Sequence, residues 1–274
     1  KADFNKDFKE KAQQCKSNLT SSKTPKSVHN KPQLFEFPLK YPERLGYLKP
    51  ILQRFIQYDS ESICYTKPPN NTALKKNISC LLRLGIKNNP QQSFLQTIAR
   101  IINKSLSELK EIMLSELTIN KFVMAFNGGL IDLFYNSSSE PSSENIIIKN
   151  KNIDEIKNTK IEDKVKKSYK NFKEYLSNNK IFIDHSYLWD FIIKKKKNGG
   201  LLFENGINLI IFNNPNNDSY EKIEIICPSS SIEHVYSKSK QTIMLYSEYN
   251  YYEPLMLYSS STKQKQLLFD DQTL

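Results

Sequence analysis

The apolar residues of this chain change period partway along it, and that change constrains the fold more than any other feature. From Ser93 onward, Phe94, Leu95, Ile98, Ile101 and Ile102 recur at the spacing of one helical face. Ser105 with Glu108 three residues on has the form of a capping box, so Leu106, Leu109, Ile112, Met113 and Leu117 predict a second helix at once. Phe122, Val123 and Phe126 predict a third, stopped at Asn127-Gly128-Gly129. Val165, Tyr169, Phe172, Tyr175 and Leu176 predict a fourth with a Lys-rich outer face, and the apolar cluster from Tyr187 to Ile193 follows, carrying the single Trp. Beyond Gly200 the pattern is different. Ile207 to Phe212, Ile223 to Cys227, Gln241 to Tyr246 and Leu255 to Tyr258 are short β-branched or aromatic runs between Asn, Pro, Asp and Ser turns. Helices first and strands last, without strict alternation, predict an α+β fold: helices of the first half packed on a mixed or antiparallel sheet from the second half.

The flanks are plainer. Residues 1–32 are rich in Lys, Gln, Ser and Asn with no apolar face, and read as a flexible Lys-rich arm or linker. Residues 33–262 then form one domain, with a polar surface excursion at 137–160, and 263–274 read as a polar tail. Inside the domain, Leu34 to Pro38 reads as an edge strand ended by proline and Pro50 to Ile56 as a short helix with Pro in its first turn. Cys80 to Leu84 has strand length, and Lys87 to Pro90 is a loop. A chain of 274 residues is long enough to bury a core of its own. Because it begins at Lys1, it is expected to be processed, or cut from a longer polypeptide.

Composition excludes several chemistries. Seven glycines, with neither G-x-G-x-x-G nor G-x-x-x-x-G-K-[ST], leave no loop to cradle a nucleotide, and no cofactor is expected. Cys15, Cys64, Cys80 and Cys227 lack C-x-x-C or partner-His spacing, so no metal site is expected, and in the absence of a signal peptide they read as free thiols in a reducing compartment. No apolar run approaches the roughly 18 residues of a membrane span. The formal charge of +11 points to anionic partners, but only four basic residues are Arg, so base reading is poorly supplied. A/T-rich coding explains the same Lys, Asn and Ile bias. The candidate phosphate contacts are Lys194, Lys195, Lys196, Lys197, Lys238 and Lys240. Tyr246, Tyr249, Tyr251, Tyr252 and Tyr258 either add a stacking surface beside them or fill the sheet face.

A hydrolase needs a nucleophile, a base within hydrogen-bond reach and an orienting group. Ser93, at the start of a helix, is the best-placed hydroxyl, although Ser93 or Asn89 also suits a helix cap. His29 lies in the arm, His185 precedes the Trp cluster beside Asp184, and His234 sits in a Ser-rich turn. Asp270 and Asp271 lie in the tail, and Glu204, Glu224 and Glu253 read as ion-pair partners or ligands, so no two-carboxylate site stands out.

The segment Pro90-Gln91-Gln92-Ser93-Phe94-Leu95-Gln96-Thr97-Ile98-Ala99 resembles the ovarian-tumour (OTU) class of papain-like cysteine peptidases, whose nucleophile segment runs D-G-N-C-L-F-R-A-I-A. Gly199 to Phe212 is similar to that fold's helix and central strand, and Asn250-Tyr251-Tyr252-Glu253-Pro254-Leu255 to its H-Y-N-S-V close. The resemblance implies a papain-like core in which Ser93 stands at the Cys position and Tyr251 at the His position. Thiolate and imidazole are both missing from it, and a phenol with a reference pKa near 10 is a poor base at neutral pH. The copy it implies is catalytically empty.

A second set of short motifs, ordered from Leu81-Leu82-Arg83-Leu84-Gly85 through Phe126-Asn127-Gly128-Gly129-Leu130 and Asp184 to Asp190 to Tyr251 to Leu255, resembles the early transcription factor large subunit of nucleocytoplasmic large DNA viruses. This likeness spans about residues 45–258. It implies a transcription-related viral protein that works with viral RNA polymerase or other transcription proteins, near nucleic acid, in the virion and the host cytoplasmic factory. The expected function is a non-catalytic scaffold or interaction domain with Lys-rich surfaces toward DNA or RNA and no membrane association. Two rivals stay open: a hydrolase, whether a Ser93 esterase or an OTU-like deubiquitinase recruiting Cys64 or Cys80 with His185 or His234, and a module that binds ubiquitin or a host protein.

Overall fold

A computed structural model describes residues 35–65, 74–143, 159–215, 222–226 and 236–271. The N-terminal arm, the middle of the 137–160 excursion, Cys15, His29, Cys227 and His234 lie outside the described residues. In chain order the elements are β1 (Leu45–Gly46), α1 (Pro50–Phe55), α2 (Ser60–Cys64), β2 (Ser79–Leu84), α3 (Ser93–Ile101), α4 (Leu106–Glu116), α5 (Ile119–Met124), α6 (Leu130–Leu133), α7 (Thr159–Ser177), α8 (Trp189–Ile193), β3 (Asn208–Asn214), β4 (Glu224–Ile226), β5 (Thr242–Glu248), β6 (Tyr251–Ser259) and β7 (Lys265–Gln266). The fold is α+β with a mixed sheet in the order β1-β2-β6-β5-β3-β4, and β7 pairs with β6. Among the described residues its one parallel pair is β3 with β5, from Asn208↔Thr242 to Asn214↔Glu248.

Period-two alternation explains why these strands read as almost continuously apolar: both faces of the sheet are covered. Leu82, Leu209, Ile211, Ile243, Leu245, Tyr252 and Met256 face the large core under helices α3 to α8. Phe212, Met244, Tyr246 and Leu255 face a smaller core closed by Leu48 and Leu52 of the α1 region. A one-residue slip in any of these strands would exchange the two sets, so the register is strongly specified. Helix α4 has the expected capping box: Glu108 N–H donates to Ser105 Oγ at 3.2 Å, and Ser105 N–H donates to Glu108 Oε2 at 2.8 Å.

Four expectations are corrected. The sheet does not come from the second half alone, because β2 lies beside β6 with Ser79↔Ser259 and Arg83↔Leu255 paired. Among the described residues of the 34–38 segment there is no strand; the Glu36 carbonyl instead accepts from Arg83 Nη2 at 2.7 Å, and Phe37 packs on Tyr246. Residues 263–271 are not a loose tail, since Lys265–Gln266 joins the sheet, Phe269 bridges to Thr242, and Leu267 and Phe269 are buried. Leu267, Leu268 and Phe269 form a short apolar run there, flanked by the polar stretch Ser259–Gln266 and by Asp270-Asp271. Finally, Cys64 and Cys80 are joined in a disulfide, with Cα atoms 5.9 Å apart, so these two are not free thiols. Separated by 16 residues, they lack any short-range pattern; the packing of α2 against β2 brings them together.

Candidate functional site

Ser93 opens α3 behind a tight turn at Pro90–Gln92, and the helix packs on β6. Three contacts fix this juncture. Gln92 Nε2 donates to Ile181 O at 2.7 Å, Ile183 N–H donates to Gln91 O at 2.9 Å, and Thr97 Oγ1 donates to Tyr252 O at 3.0 Å. The start of α3 and the start of β6 therefore meet. The chemistry at the meeting point is closed. Ser93 has no accessible surface, and its hydroxyl is directed at two backbone carbonyls, Pro90 O at 3.3 Å and Asn250 O at 3.4 Å. It does not cap the helix either: the cap position falls on Gln92, and neither it nor Asn89 makes a side-chain cap bond.

Tyr251 is turned away from Ser93's helix. Its ring lies against Phe37, at 5.8 Å between centroids, on the smaller-core side of the sheet. The next residue, Tyr252, occupies the helix side, 5.2 Å from the Phe94 ring, and its hydroxyl lies 3.0 Å from His185 Nδ1. His185 also packs against Trp189. Burial pushes the His185 imidazole below its usual range, partly offset by the Asp184 charge, and burial pushes the Tyr252 phenol well up. The imidazole Nδ1 spends its hydrogen bond on a phenol in the core. No hydrogen bond joins His185 to Ser93 among the described residues. Cys80, the alternative nucleophile, is fully buried in its disulfide.

The lysines divide into two groups. Helix α8 ends at Ile193, and the Lys run folds back over a turn in which Gly200 sits so close to Lys194 that a Cβ there would lie 1.9 Å from the Lys194 carbonyl oxygen. Gly206, at φ +70, allows a second close approach to the Ile193 carbonyl. Across from this turn, buried Asn208 clamps the 237–240 loop: Nδ2 donates to Ser237 O at 2.8 Å and Lys240 O at 3.2 Å, while Oδ1 accepts from Ser237 N–H at 2.9 Å. These two devices put Lys194, Lys195 and Lys240 in the wall of one groove of about 660 Å³, with Asn198, Asn205, Ser237 and Ser239 as further polar lining. Met124 and Tyr236, 47% and 44% exposed, supply its apolar surface.

Charge within the groove is unevenly compensated. Lys194 Nζ is held by Asp190 at 2.9 Å, whereas Lys195 and Lys240 have no carboxylate partner among the described residues. Burial, and then the Lys195 charge, lower the Lys240 ammonium from its ordinary range. Two cations that face each other without an acid between them favour an anion in that space. Of the other candidates, Lys196 is bracketed by Glu116 and Glu204, each at 3.2 Å, and Lys197 and Lys238 are exposed and do not line the groove. Of the two readings of the tyrosines, sheet filling is the one observed: Tyr246, Tyr251, Tyr252 and Tyr258 are buried, and Tyr249 alone of the set is exposed, at 62%. Tyr236, Met124 and the clamp Asn208 were missed, because nothing local in the sequence ties them to the Lys run.

Of the acids considered as ligands, Glu253 pairs with Arg83 inside the protein, Glu204 with Lys196 and Glu224 with Lys222. Among the described residues no group of three or more His, Cys, Asp or Glu side chains is placed to hold a metal ion, and no helix is long and apolar enough to cross a membrane. No protein-family model matches the chain, and no curated protein or solved structure matches it.

Proposed function

We propose that this chain is a non-catalytic interaction module that holds a strand of nucleic acid in the Lys194–Lys195–Lys240 groove. The observation that carries the reading is the convergence of Lys195 and Lys240, without an acid partner among the described residues, in a groove that also offers amide and hydroxyl donors and two exposed apolar side chains. Lysine attracts backbone phosphate without reading bases, so binding here is strong in its salt dependence and weak in its sequence preference. The closed hydroxyl of Ser93 supports the non-catalytic half of the proposal. The resemblance of the motif order to that of the early transcription factor large subunit supports a setting in viral transcription, with viral RNA polymerase or its associated proteins as neighbours.

The test is fluorescence anisotropy with a labelled 20-mer strand across a salt series. The Lys195→Glu/Lys240→Glu variant is expected to weaken binding by about tenfold or more and to flatten the slope of log Kd against log salt by roughly 1–2. Lys180→Glu, at an exposed position away from the groove, leaves both unchanged. Equal binding by the double variant, or affinity indifferent to salt, refutes the proposal.

A further inference from the structure

Phosphate attraction uses only the cations of the lysine groove and leaves its apolar part idle. Tyr236 and Met124 both line the groove with nearly half of their surface open. The Tyr236 ring packs on no other aromatic ring among the described residues. Met124 reaches toward the turn that carries Lys195 and Asn198, its Cε 3.9 Å from where a Cβ on Gly199 would stand. An aromatic face and a flexible thioether are therefore held open beside two cations that lack a carboxylate partner among the described residues.

The ring is also held in place. The Tyr236 hydroxyl donates to Asp271 Oδ1 at 3.1 Å, and Gln241 Nε2, at the other end of the loop, donates to Asp270 Oδ1 at 3.1 Å. Between these two tethers Thr242 and Phe269 exchange backbone hydrogen bonds of 2.7 and 2.9 Å. The 269–271 segment thus straps the 236–241 loop from one side while Asn208 clamps it from the other. Neither Asp270 nor Asp271 lines the groove, so the strap fixes the ring without putting an acid beside the lysines. A ring already ordered in this way loses little freedom when a ligand covers it.

Building on the nucleic-acid reading of this groove, we infer that it takes unpaired, single-stranded nucleic acid, with one base stacked on Tyr236 and the adjoining phosphate between Lys195 and Lys240. Met124 covers the sugar and base edge, and the Asn198 and Asn205 amides, each both donor and acceptor, meet whichever base edge is presented. Every base has a π-face, so the stacking is indifferent to sequence, as the lysines are. A duplex turns its phosphates outward and keeps its base faces stacked inside, where a fixed ring on a protein surface does not reach them. A bare phosphate uses the cations and leaves the ring and Met124 wet. An unpaired nucleotide brings charge and aromatic face together.

The test compares, at one salt concentration and with the full chain, the labelled strand, the same strand annealed to its complement, and an abasic strand of equal length. The strand is expected to bind about tenfold more tightly than either of the others. Tyr236→Ala is expected to weaken the strand by about tenfold, to leave the abasic strand unchanged and to keep the slope of log Kd against log salt. Tyr236→Trp is expected to keep strand binding, with indole fluorescence quenched by the strand and not by the abasic strand. Duplex or abasic strand bound as tightly as the strand refutes the inference, as does a Tyr236→Ala variant that binds the strand like wild type. In those cases the lysine groove still stands if Lys195→Glu/Lys240→Glu weakens all three ligands. Indifference of all three to that double variant removes the groove itself and the inference with it.

Discussion

Arg83 and Glu253 form an ion pair with no accessible surface, and the perturbation with the largest expected effect is to remove one of the two. Arg83 spends its other donors on backbone, Nε on Tyr47 O at 2.8 Å and Nη2 on Glu36 O at 2.7 Å, while Glu253 Oε1 accepts from Leu39 N–H at 2.6 Å. The pair therefore ties the 35–49 segment to β2 and β6. Burial pushes the Glu253 carboxyl up, against the pull of Arg83 and the Leu39 N–H. Arg83→Met strands a carboxylate with one backbone donor, and Glu253→Leu strands a guanidinium between two carbonyls. Each is expected to cost about 3–5 kcal/mol, the scale for breaking a buried pair. The double variant removes both charges and leaves the three backbone groups to find water, at about 1 kcal/mol each, so it is expected to lose about 3 kcal/mol. Additivity would give roughly 6–10 kcal/mol, and the coupling energy is several kcal/mol. Urea unfolding followed by Trp189 fluorescence and by far-ultraviolet circular dichroism measures all four corners. If the single losses add to within about 0.5 kcal/mol, the two side chains do not act as a unit and the reasoning is wrong.

Reduction of the Cys64–Cys80 disulfide, which closes a loop of 16 residues, is expected to lower unfolding stability by about 3 kcal/mol, read as a shift in urea midpoint with and without reductant. An unchanged midpoint would contradict the crosslink. Ser93→Ala is expected to change stability by no more than about 1 kcal/mol, and neither the wild type nor Ser93→Cys is expected to react with an electrophilic ubiquitin-derived probe; covalent labelling of residue 93 would overturn the closed-site reading. Lys110, nearly buried on α4, donates to Asn178 O and Asn179 Oδ1, each at 2.9 Å, and burial lowers its ammonium to about 8. Between about 8 and the unfolded value near 10.5 the unfolded chain holds the extra proton, so stability rises with pH across that window, by a total on the order of 3 kcal/mol. Lys110→Met is expected to lose that rise in pH-dependent urea titrations, and a rise that persists in the variant refutes the assignment.

Elements defined by their own periodicity were legible in the sequence. Helix α3 falls at Ser93–Ile101 and α4 at Leu106–Glu116 behind its capping box, because one buried face and one local cap suffice to specify each. Strands β3, β5 and β6 were legible as apolar runs, although their burial on both faces hid which side each residue takes. What local pattern does not encode is pairing at a distance. Cys64 meets Cys80, Arg83 meets Glu253 170 positions on, and Lys265–Gln266 returns to β6, each through tertiary packing alone.

The same distinction decides how far the peptidase-like resemblance carries. Matching one segment to another names residues by position; the contacts observed here are Thr97 bonded to the Tyr252 carbonyl and Ser93 directed at the Asn250 carbonyl. It does not settle which face a strand residue takes, because neighbours in a strand point to opposite sides. The match puts Tyr251 in the imidazole's place, yet Tyr252 is the side chain on Ser93's side, and it is bonded to His185, which reaches this spot from a separate segment. A functional base at this junction would need to reach a hydroxyl that has no solvent access and has already committed its proton to main-chain oxygen. Restoring an imidazole by Tyr251→His would therefore place it beside Phe37, across the sheet from the hydroxyl, and no hydrolysis follows from it.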